Sequence, residues 1–370
     1  MTRSLGLFAV GCVALLGCSS SSNADLGLGD DAGSVGGDGG GSSVLDAASP
    51  VGDGGISPGI DAAAPPADPR DGPGIFAAAG NHVRHIRSTD DGATWIDDAT
   101  IFDQSMTGDL YGIRTVSWGN AQFVAYAAKM FTSPDGKTWT EVTKADGQWL
   151  ASMVYAQGQY VSSGGYGWLA TTTTDLGTWA QHPPAANYTA AHHSRQALAT
   201  GKVGGADAYV VVDDNGNIFH ATDGKTWSAA TTAPVVPAGN TWGTLFAYGN
   251  GVFVGLLPSG TVNIRSTDGG ATWSSSTALP TAAQGLVYAQ GKFTALGAGH
   301  VFTSTDGASW TDHAETTAIA ADLTYGHGTY LALTGNGNIY KSTDGLTFTK
   351  TFDNGTSPDP VASIAFGPNP

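Results

Sequence analysis

Residues 266–273 read Ser-Thr-Asp-Gly-Gly-Ala-Thr-Trp, and close variants of this stretch occur seven times along the chain. In such a stretch the Asp side chain can accept backbone N–H groups across a tight turn, and Gly supplies the positive φ angle that the turn requires. The closing aromatic residue offers a large apolar face that can pack beneath the turn. The seven copies occupy residues 88–95, 133–139, 173–179, 222–227, 266–273, 304–310 and 342–348.

The spacing of the copies indicates the architecture. The closing aromatic residues follow one another at intervals of 37 to 48 residues, from Trp95 to Phe348. A repeat of this length is typical of the four-stranded blade of a propeller. Gly is abundant, with 54 residues, whereas charged residues make up only 12% of the chain, which favours short strands and tight turns over helices. The sequence therefore predicts an all-β fold, a seven-bladed β-propeller of four-stranded antiparallel blades.

A second repeated feature lies between the copies and predicts how the ring closes. In five units an aromatic residue is followed five positions later by Phe or Tyr, as in Tyr248 and Phe253, with a Gly-containing turn between them. Such a pair marks a hairpin between the inner strand and the second strand of a blade. The fourth unit lacks the pair, and its segment 198–212 suggests a longer connection. Residues 74–76 match a second strand and residues 361–367 match an inner strand, so we expect the C-terminal strand to close the ring. The propeller domain is predicted to span residues 74–370.

The repeated turn resembles the Asp-box, or BNR repeat, of sialidases, sortilin-type receptors and photosystem assembly factors. The resemblance covers nearly all of residues 74–370 and implies that the boxes lie away from the ligand-binding face, with a structural role. That role falls on Asp90, Asp135, Asp175, Asp223, Asp268, Asp306 and Asp344. Sialidases also use a cluster of three Arg and a Tyr–Glu pair. Here the only glutamates, Glu141 and Glu315, are placed at outer strands, so a typical sialidase is not expected.

The N-terminal residues indicate export and an anchor. An apolar stretch after Arg3, too short to span a membrane stably, ends at Leu15-Leu16-Gly17-Cys18, which resembles a bacterial lipobox. We expect residues 1–17 to be a lipoprotein signal peptide and Cys18 to carry the lipid; an ordinary secretion signal with an incidental Cys is the alternative. Residues 18–73, rich in Gly, Ser, Asp and Pro, are predicted to form a disordered tether. Ser19 favours an outer-membrane lipoprotein, and its orientation toward the periplasm or the cell surface is left open.

The charge balance limits the partners. With 15 Lys and Arg against 31 Asp and Glu, the net charge is −16, which argues against nucleic acid and against membrane contact other than through the lipid anchor. Once the chain is cleaved at Cys18, no other cysteine is left to form a disulfide or a zinc site. Residues 213–217 only loosely resemble a calcium loop, and we interpret them as a polar hairpin turn. No metal or other cofactor is expected, and the domain is expected to be a monomer.

The aromatic residues that the repeat does not use mark a candidate binding surface. They are placed in connections of blades three to five, on the face opposite the boxes, and comprise Trp149, Tyr166, Trp168, Tyr188 and Trp242. Such a group is typical of a platform that stacks on sugar rings or of a protein-binding hot spot. The alternative interpretation is that each residue covers the core of its own blade.

The sequence thus favours a non-catalytic binding propeller that recognises a glycan or an envelope protein. No catalytic residue is assigned under this interpretation. The alternative is a glycoside hydrolase or lyase acting on a polysaccharide, with Asp109 and Asp322 near the central channel, because both precede inner strands.

Overall fold

The computed structural model describes residues 70, 72–80, 84–97, 115–126, 129–143, 150–164, 169–172, 175–182, 197–213, 216–234, 245–257, 263–314, 321–357 and 360–368. In these ranges the chain forms short β-strands. The first fourteen are β1 (Gly74–Gly80), β2 (His85–Ser88), β3 (Ile96–Asp97), β4 (Thr115–Gly119), β5 (Gln122–Tyr126), β6 (Met130–Ser133), β7 (Thr140–Val142), β8 (Leu150–Ala156), β9 (Gln159–Gly164), β10 (Leu169–Thr172), β11 (Ala180–Gln181), β12 (Leu198–Val203), β13 (Ala206–Val212) and β14 (Ile218–Ala221). The others are β15 (Ser228–Ala229), β16 (Leu245–Gly249), β17 (Val252–Leu256), β18 (Asn263–Ser266), β19 (Ser274–Ser276), β20 (Ala283–Ala289), β21 (Lys292–Gly297), β22 (His300–Ser304), β23 (Thr311–Ala314), β24 (Ala321–Gly326), β25 (Thr329–Thr334), β26 (Ile339–Ser342), β27 (Thr349–Phe352) and β28 (Val361–Pro368).

Over the described ranges these strands form seven four-stranded antiparallel sheets. Sheet 1 has the order β28-β1-β2-β3, and sheets 2 to 7 each consist of four consecutive strands, from β4–β7 to β24–β27. The first strand of each sheet in this order is its inner strand. Each inner strand lies against the inner strand of the next sheet, and β24 of sheet 7 lies against β28 of sheet 1. The predicted all-β propeller with four-stranded antiparallel blades is therefore confirmed.

Buried apolar side chains fill the space between neighbouring sheets. Between sheets 4 and 5, Val210 packs with Phe253 and with the box residue Trp273. Between sheets 7 and 1, Leu331 packs in the same way with Phe76. Comparable clusters join the other neighbouring pairs in the described part of the chain. The hydrophobic core is thus divided among the sheet junctions, and each sheet is held by contacts on both faces.

The C-terminal strand pairs with the first strand of the domain. β28 is antiparallel to β1, with Phe76 opposite Phe366 and Ala78 opposite Ile364. The two phenylalanine rings lie 4.9 Å apart between centroids. The pairing expected between the two chain ends is therefore present, and it places residues from opposite ends of the domain in one sheet.

Tight hairpins connect the inner strands to the second strands. In sheet 5, Asn250 and Gly251 have φ angles of 51° and 76°, as a type I′ turn requires. The aromatic pairs that flank these turns are direct cross-strand partners, as in Tyr248 opposite Phe253 with ring centroids 5.0 Å apart. The predicted hairpin register is confirmed for this sheet.

The fourth unit differs from its sequence interpretation. We expected a longer connection, but β12 and β13 are joined directly by Gly204 and Gly205, both with positive φ. The extra residues lengthen the two strands beyond the pair Thr200 opposite Tyr209, which occupies the position of the aromatic pair. The aromatic pair was not recognisable in the sequence because Thr200 stands at the first position and the longer hairpin separates it from Tyr209 by more than five residues.

The inner strands interlock through an aromatic residue followed by a small one. Six sheets carry such a dipeptide beside the hairpin: Trp118-Gly119, Tyr155-Ala156, Tyr248-Gly249, Tyr288-Ala289, Tyr325-Gly326 and Phe366-Gly367. A Cβ atom built on the glycine would overlap the ring from the next sheet. These contacts join Gly119 to Tyr155, Gly201 to Tyr248, Gly249 to Tyr288, Gly326 to Phe366 and Gly367 to Trp118. Glycine is therefore required here for close approach.

Candidate functional site

The seven repeated turns define one face of the propeller, which we call the box face. In the turn at residues 266–273, Oδ1 of Asp268 accepts the Ser266 hydroxyl at 2.8 Å and the Thr272 N–H at 2.9 Å. The indole Nε1 of Trp273 donates to the carbonyl of Gly270 at 2.9 Å, and this tryptophan is buried beneath the turn. The carboxylate therefore closes the turn, and the indole ties it to the core.

The same hydrogen bonding occurs in all seven turns, where each Asp carboxylate accepts at least one backbone N–H of its own turn. The donors are Thr94 to Asp90, Thr138 to Asp135, Gly177 to Asp175, Thr226 to Asp223, Thr272 to Asp268, Ser309 to Asp306 and Thr347 to Asp344. Each of these carboxylates therefore forms hydrogen bonds within its own turn.

The hydrogen bonds favour the ionised carboxylates. The backbone N–H groups of Ala308 and Ser309 hold the pKa of Asp306 below its ordinary value. The hydroxyl of Thr94 does the same for the pKa of Asp90. For Asp344, partial burial acts to raise the pKa, but the backbone donors and the Ser342 hydroxyl outweigh it and the pKa is lowered. Lowered carboxyl pKa values on this face therefore reflect turn structure and do not indicate a general acid.

Side chains from the preceding sheet contact several box turns. Gln159 Nε2 donates to the carbonyl of Asp223 at 2.8 Å, and Lys292 Nζ donates to the carbonyl of Asp344 at 2.8 Å. Arg265 Nε donates to the carbonyl of Asp306 at 3.1 Å. These bonds link each turn to its neighbouring sheet, so the polar groups of the box face serve the assembly of the ring.

The predicted aromatic site falls outside the described residues. The residues outside the described ranges include the whole predicted aromatic group, Trp149, Tyr166, Trp168, Tyr188 and Trp242, together with Asp109 and Cys18. The flanking strands are informative. β9 and β10 pair Ser163 with Leu169 at one end and Tyr160 with Thr172 at the other, next to the box. The connection between β9 and β10 therefore starts and finishes at the strand ends opposite the box face.

Asp322 is the one predicted catalytic residue that the structure describes. It is 5% exposed and lies at the start of the inner strand β24, at the end far from the hairpin that follows Gly326. Its Oδ1 accepts the N–H of Leu323 at 2.8 Å. The side chain thus lies at the inner edge of sheet 7, where it caps its own backbone.

Two charged side chains of the described ranges, Glu141 and Arg84, form ion pairs at outer strands. Glu141 is on the outer strand β7 and pairs with Lys129 at 3.4 Å. Arg84 pairs with Asp97 at 2.8 Å, on the outer strand β3. Both ion pairs therefore lie at outer strands.

Hydroxyl side chains line the inner strands. Ser363 Oγ accepts the N–H of Val116 at 3.0 Å, from sheet 1 to sheet 2. Ser117 Oγ donates to the carbonyl of Met153 at 3.3 Å, from sheet 2 to sheet 3. Both serines are buried. They supply partners to inner-edge backbone groups that have no further strand to pair with.

The sequence analysis missed Arg70, which contacts the inner strands of sheets 6 and 7. Its Nη2 donates to the carbonyl of Tyr288 at 2.7 Å, and its guanidinium carbon lies 5.3 Å from the centroid of the Tyr325 ring. The available signal was that Arg70 is the single basic residue between positions 19 and 73. We had assigned it to the tether.

In the described ranges no group of three or more His, Cys, Asp or Glu side chains is arranged to hold a metal ion. Nor do they contain a helix with the length and apolar character needed to cross a membrane.

The sequence matches no family model and no curated protein. Solved structures share its fold. YCF48 bound to D1 peptide is 15% identical with a TM-score of 0.50, covering 64% of this chain and 81% of YCF48. Virginiamycin B lyase from Staphylococcus aureus is 11% identical with a TM-score of 0.53, covering 66% of this chain and 85% of the lyase. A catalytically inactive variant of that lyase with quinupristin gives a TM-score of 0.55 at 11% identity, covering 71% and 94%. At these identities the likeness is one of fold.

Proposed function

We propose that this chain is an envelope-anchored, non-catalytic binding propeller whose ligand is a partner protein or a glycan. The seven sheets form one ring of seven blades. The ligand is bound on the face opposite the box face, where Trp149, Trp168, Trp242 and Tyr188 supply stacking area and Tyr166 forms the rim.

One observation carries this proposal: every tryptophan in the described ranges packs into a junction between sheets. These residues are Trp95, Trp118, Trp139, Trp179, Trp227, Trp273 and Trp310. The repeat therefore uses seven of the ten tryptophans. The other three belong to connections that the repeat does not require, and a group of surplus aromatic residues is typical of an interaction surface.

The engaged charges on the described residues also support binding over catalysis. Hydrolysis of a glycoside requires two placed carboxyl groups, one of which usually acts as a general acid. Glu141 is paired on an outer strand, and the box carboxylates close their own turns. A peptide ligand has a precedent of fold in YCF48 bound to D1 peptide, which motivates testing peptides beside glycans.

The second candidate is a polysaccharide hydrolase or lyase that uses Asp109 and Asp322. The observation in its favour is the position of Asp322 at the inner edge of sheet 7, at the end opposite the box face. Virginiamycin B lyase has the same fold, which shows that a propeller can carry the active site of a lyase.

The binding experiment compares matched variants on a peptide array and a glycan array. Trp149→Ala with Trp242→Ala should weaken binding by about thirtyfold or more, because aromatic anchors are often worth about 2 kcal/mol or more each. The melting temperature should stay nearly unchanged. Asp109→Asn with Asp322→Asn serves as the control and should leave binding intact.

Two results would contradict the proposal. Unfolding of the tryptophan variant would mean that these residues belong to the core. Turnover of a polysaccharide that disappears only in the aspartate variant would show an enzyme.

The anchor is tested separately. We propose that Cys18 is lipidated and that Ser19 directs the protein to the outer membrane. Cys18→Ala should abolish fatty-acid labelling and release the protein from membranes, whereas Cys12→Ala should change neither. Unchanged labelling of the Cys18 variant would refute the anchor and leave the binding surface untouched.

A further inference from the structure

Arg70 joins the chain that precedes the propeller to the centre of the box face. Three contacts hold it there. Nη2 donates to the carbonyl of Tyr288 at 2.7 Å, and the guanidinium lies over the ring of Tyr325, 5.3 Å from its centroid. The carbonyl of Arg70 accepts the N–H of His327. Side chain and backbone are thus engaged by two different sheets.

The location follows from the elements that bind it. Tyr288 and Tyr325 lie near the ends of the inner strands β20 and β24, and His327 begins the hairpin after β24. These hairpins and the box turns are at the same ends of the strands, since Phe293 near the first hairpin pairs with Ser304 at the start of a box. Arg70 therefore lies on the box face, close to the axis of the ring.

The chemistry of the contact is specific for a guanidinium group. An inner strand has a sheet partner on one side only, so its exposed edge presents backbone groups that need a donor or acceptor. A planar cation can donate to such a carbonyl while its face covers an aromatic ring. The preceding segment, residues 19–69, contains no Arg or Lys that could take this place.

We propose that the inner ends of sheets 6 and 7 form a guanidinium-binding site whose occupant is Arg70. β1 begins at Gly74 and pairs Phe76 with Ser88 at the start of a box, so the chain enters the domain on the box face, and the Arg70 contact holds the preceding segment there close to the axis of the ring. The opposite face then points away from whatever holds the N-terminus. The functional consequence of this orientation rests on the proposed function, because the proposed binding surface lies on the face opposite the box face.

The exit face can be measured within one molecule by pulsed electron paramagnetic resonance. The full chain carries Cys12→Ser and Cys18→Ser, so that engineered cysteines alone take the spin label. One label is placed before the Arg70 contact, at Ala67→Cys. The second is placed on sheet 6, at Ser309→Cys on the box face or at Ala298→Cys in the hairpin at the opposite end of that sheet.

The expected result is a shorter and narrower distance distribution from position 67 to position 309 than to position 298. Arg70→Ala should broaden both distributions, because position 67 is then held only through the start of β1, whereas Arg70→Lys should broaden them less because the positive charge remains. Lys137→Ala, which removes an exposed cation from the box face of sheet 2, should change nothing.

Equal distances to positions 309 and 298 in the chain with Arg70, or distributions that Arg70→Ala leaves unchanged, would overturn the proposal. The measurement uses no lipid and no ligand. Failure of the anchor or of the aromatic binding surface would therefore leave its outcome unaffected, and the two ideas fail separately.

Discussion

The ring of Tyr288 covers Gly249 at the junction of sheets 5 and 6, so closely that a Cβ atom on Gly249 would overlap the ring. The φ angle of Gly249 is not in the left-handed region, so glycine is needed there for space alone. Equivalent contacts recur between neighbouring inner strands, which links the register of each sheet to that of the next.

Gly249→Ala should lower the free energy of unfolding by about 3 kcal/mol, at the upper end of typical overpacking costs. The cause is steric, so the double variant Gly249→Ala with Tyr288→Ala should be less destabilised than the sum of the two single variants. Urea denaturation of the parent, the two single variants and the double variant gives the coupling free energy between the two positions. Strict additivity would show that the ring does not limit the space at position 249.

Removal of residues 361–370 should prevent cooperative folding. The truncation deletes β28, which pairs with β1 and contributes Ile364 and Phe366 to the junction of sheets 7 and 1. It would leave β1 as an exposed edge, and aggregation is expected. Differential scanning calorimetry compares it with deletion of residues 369–370 alone, which should melt like the parent. A sharp, unshifted transition in the longer truncation would disprove the closure.

The box carboxylates should make the protein sensitive to acid. The lowered pKa values of groups such as Asp90 and Asp306 mean that, between those values and the unfolded value of about 3.9, the unfolded chain binds more protons. Their contribution is therefore present above about pH 4 and is lost as the pH falls through the folded pKa values. The urea midpoint should drop between pH 5 and pH 3, and less steeply in Asp306→Asn. A constant midpoint would contradict this account.

The links between sheets should differ in strength according to burial. Gln159 is buried and donates to the carbonyl of Asp223, whereas Gln157 is exposed and donates to the carbonyl of Thr222 at 3.0 Å. Gln159→Ala should cost about 1–2 kcal/mol of unfolding free energy, because it removes a buried side chain and leaves the partly buried carbonyl of Asp223 without this donor. Gln157→Ala should cost less than about 0.5 kcal/mol. Equal costs in thermal or urea unfolding would show that the buried link adds nothing.

Local chemistry explains what was predictable from the sequence. The box turns depend on a few adjacent residues, so their Asp, Gly and Trp can be recognised in the printed chain. The pair Tyr248 and Phe253 is likewise set by a two-residue turn, and its register follows from five positions of spacing. Closure of the ring by residues 361–368 could be predicted because each end of the domain supplies half of a repeat.

The parts that failed depend on contacts between distant segments. The position of Thr200 in sheet 4 is identified by its pairing with Tyr209 and by the ring of Tyr248 beside Gly201, which no local pattern reveals. Arg70 contacts Tyr288, which lies 218 positions away in the sequence. The aromatic group around Trp149 and Trp242 stays a prediction. The repeat shows which aromatic residues it does not use, but it does not show whether those residues lie close together.

The pairing of β28 with β1 also determines when the protein can finish folding. The strand that completes the first sheet is the last of the described strands to be synthesised, so a growing chain that has not yet reached β28 lacks the partner of β1. Earlier sheets can form in order as they are synthesised, but the junction of sheets 7 and 1 requires residues of β28. Completion of the ring is therefore delayed until β28 has been synthesised, and a product that ends before β28 would retain an unpaired edge on β1.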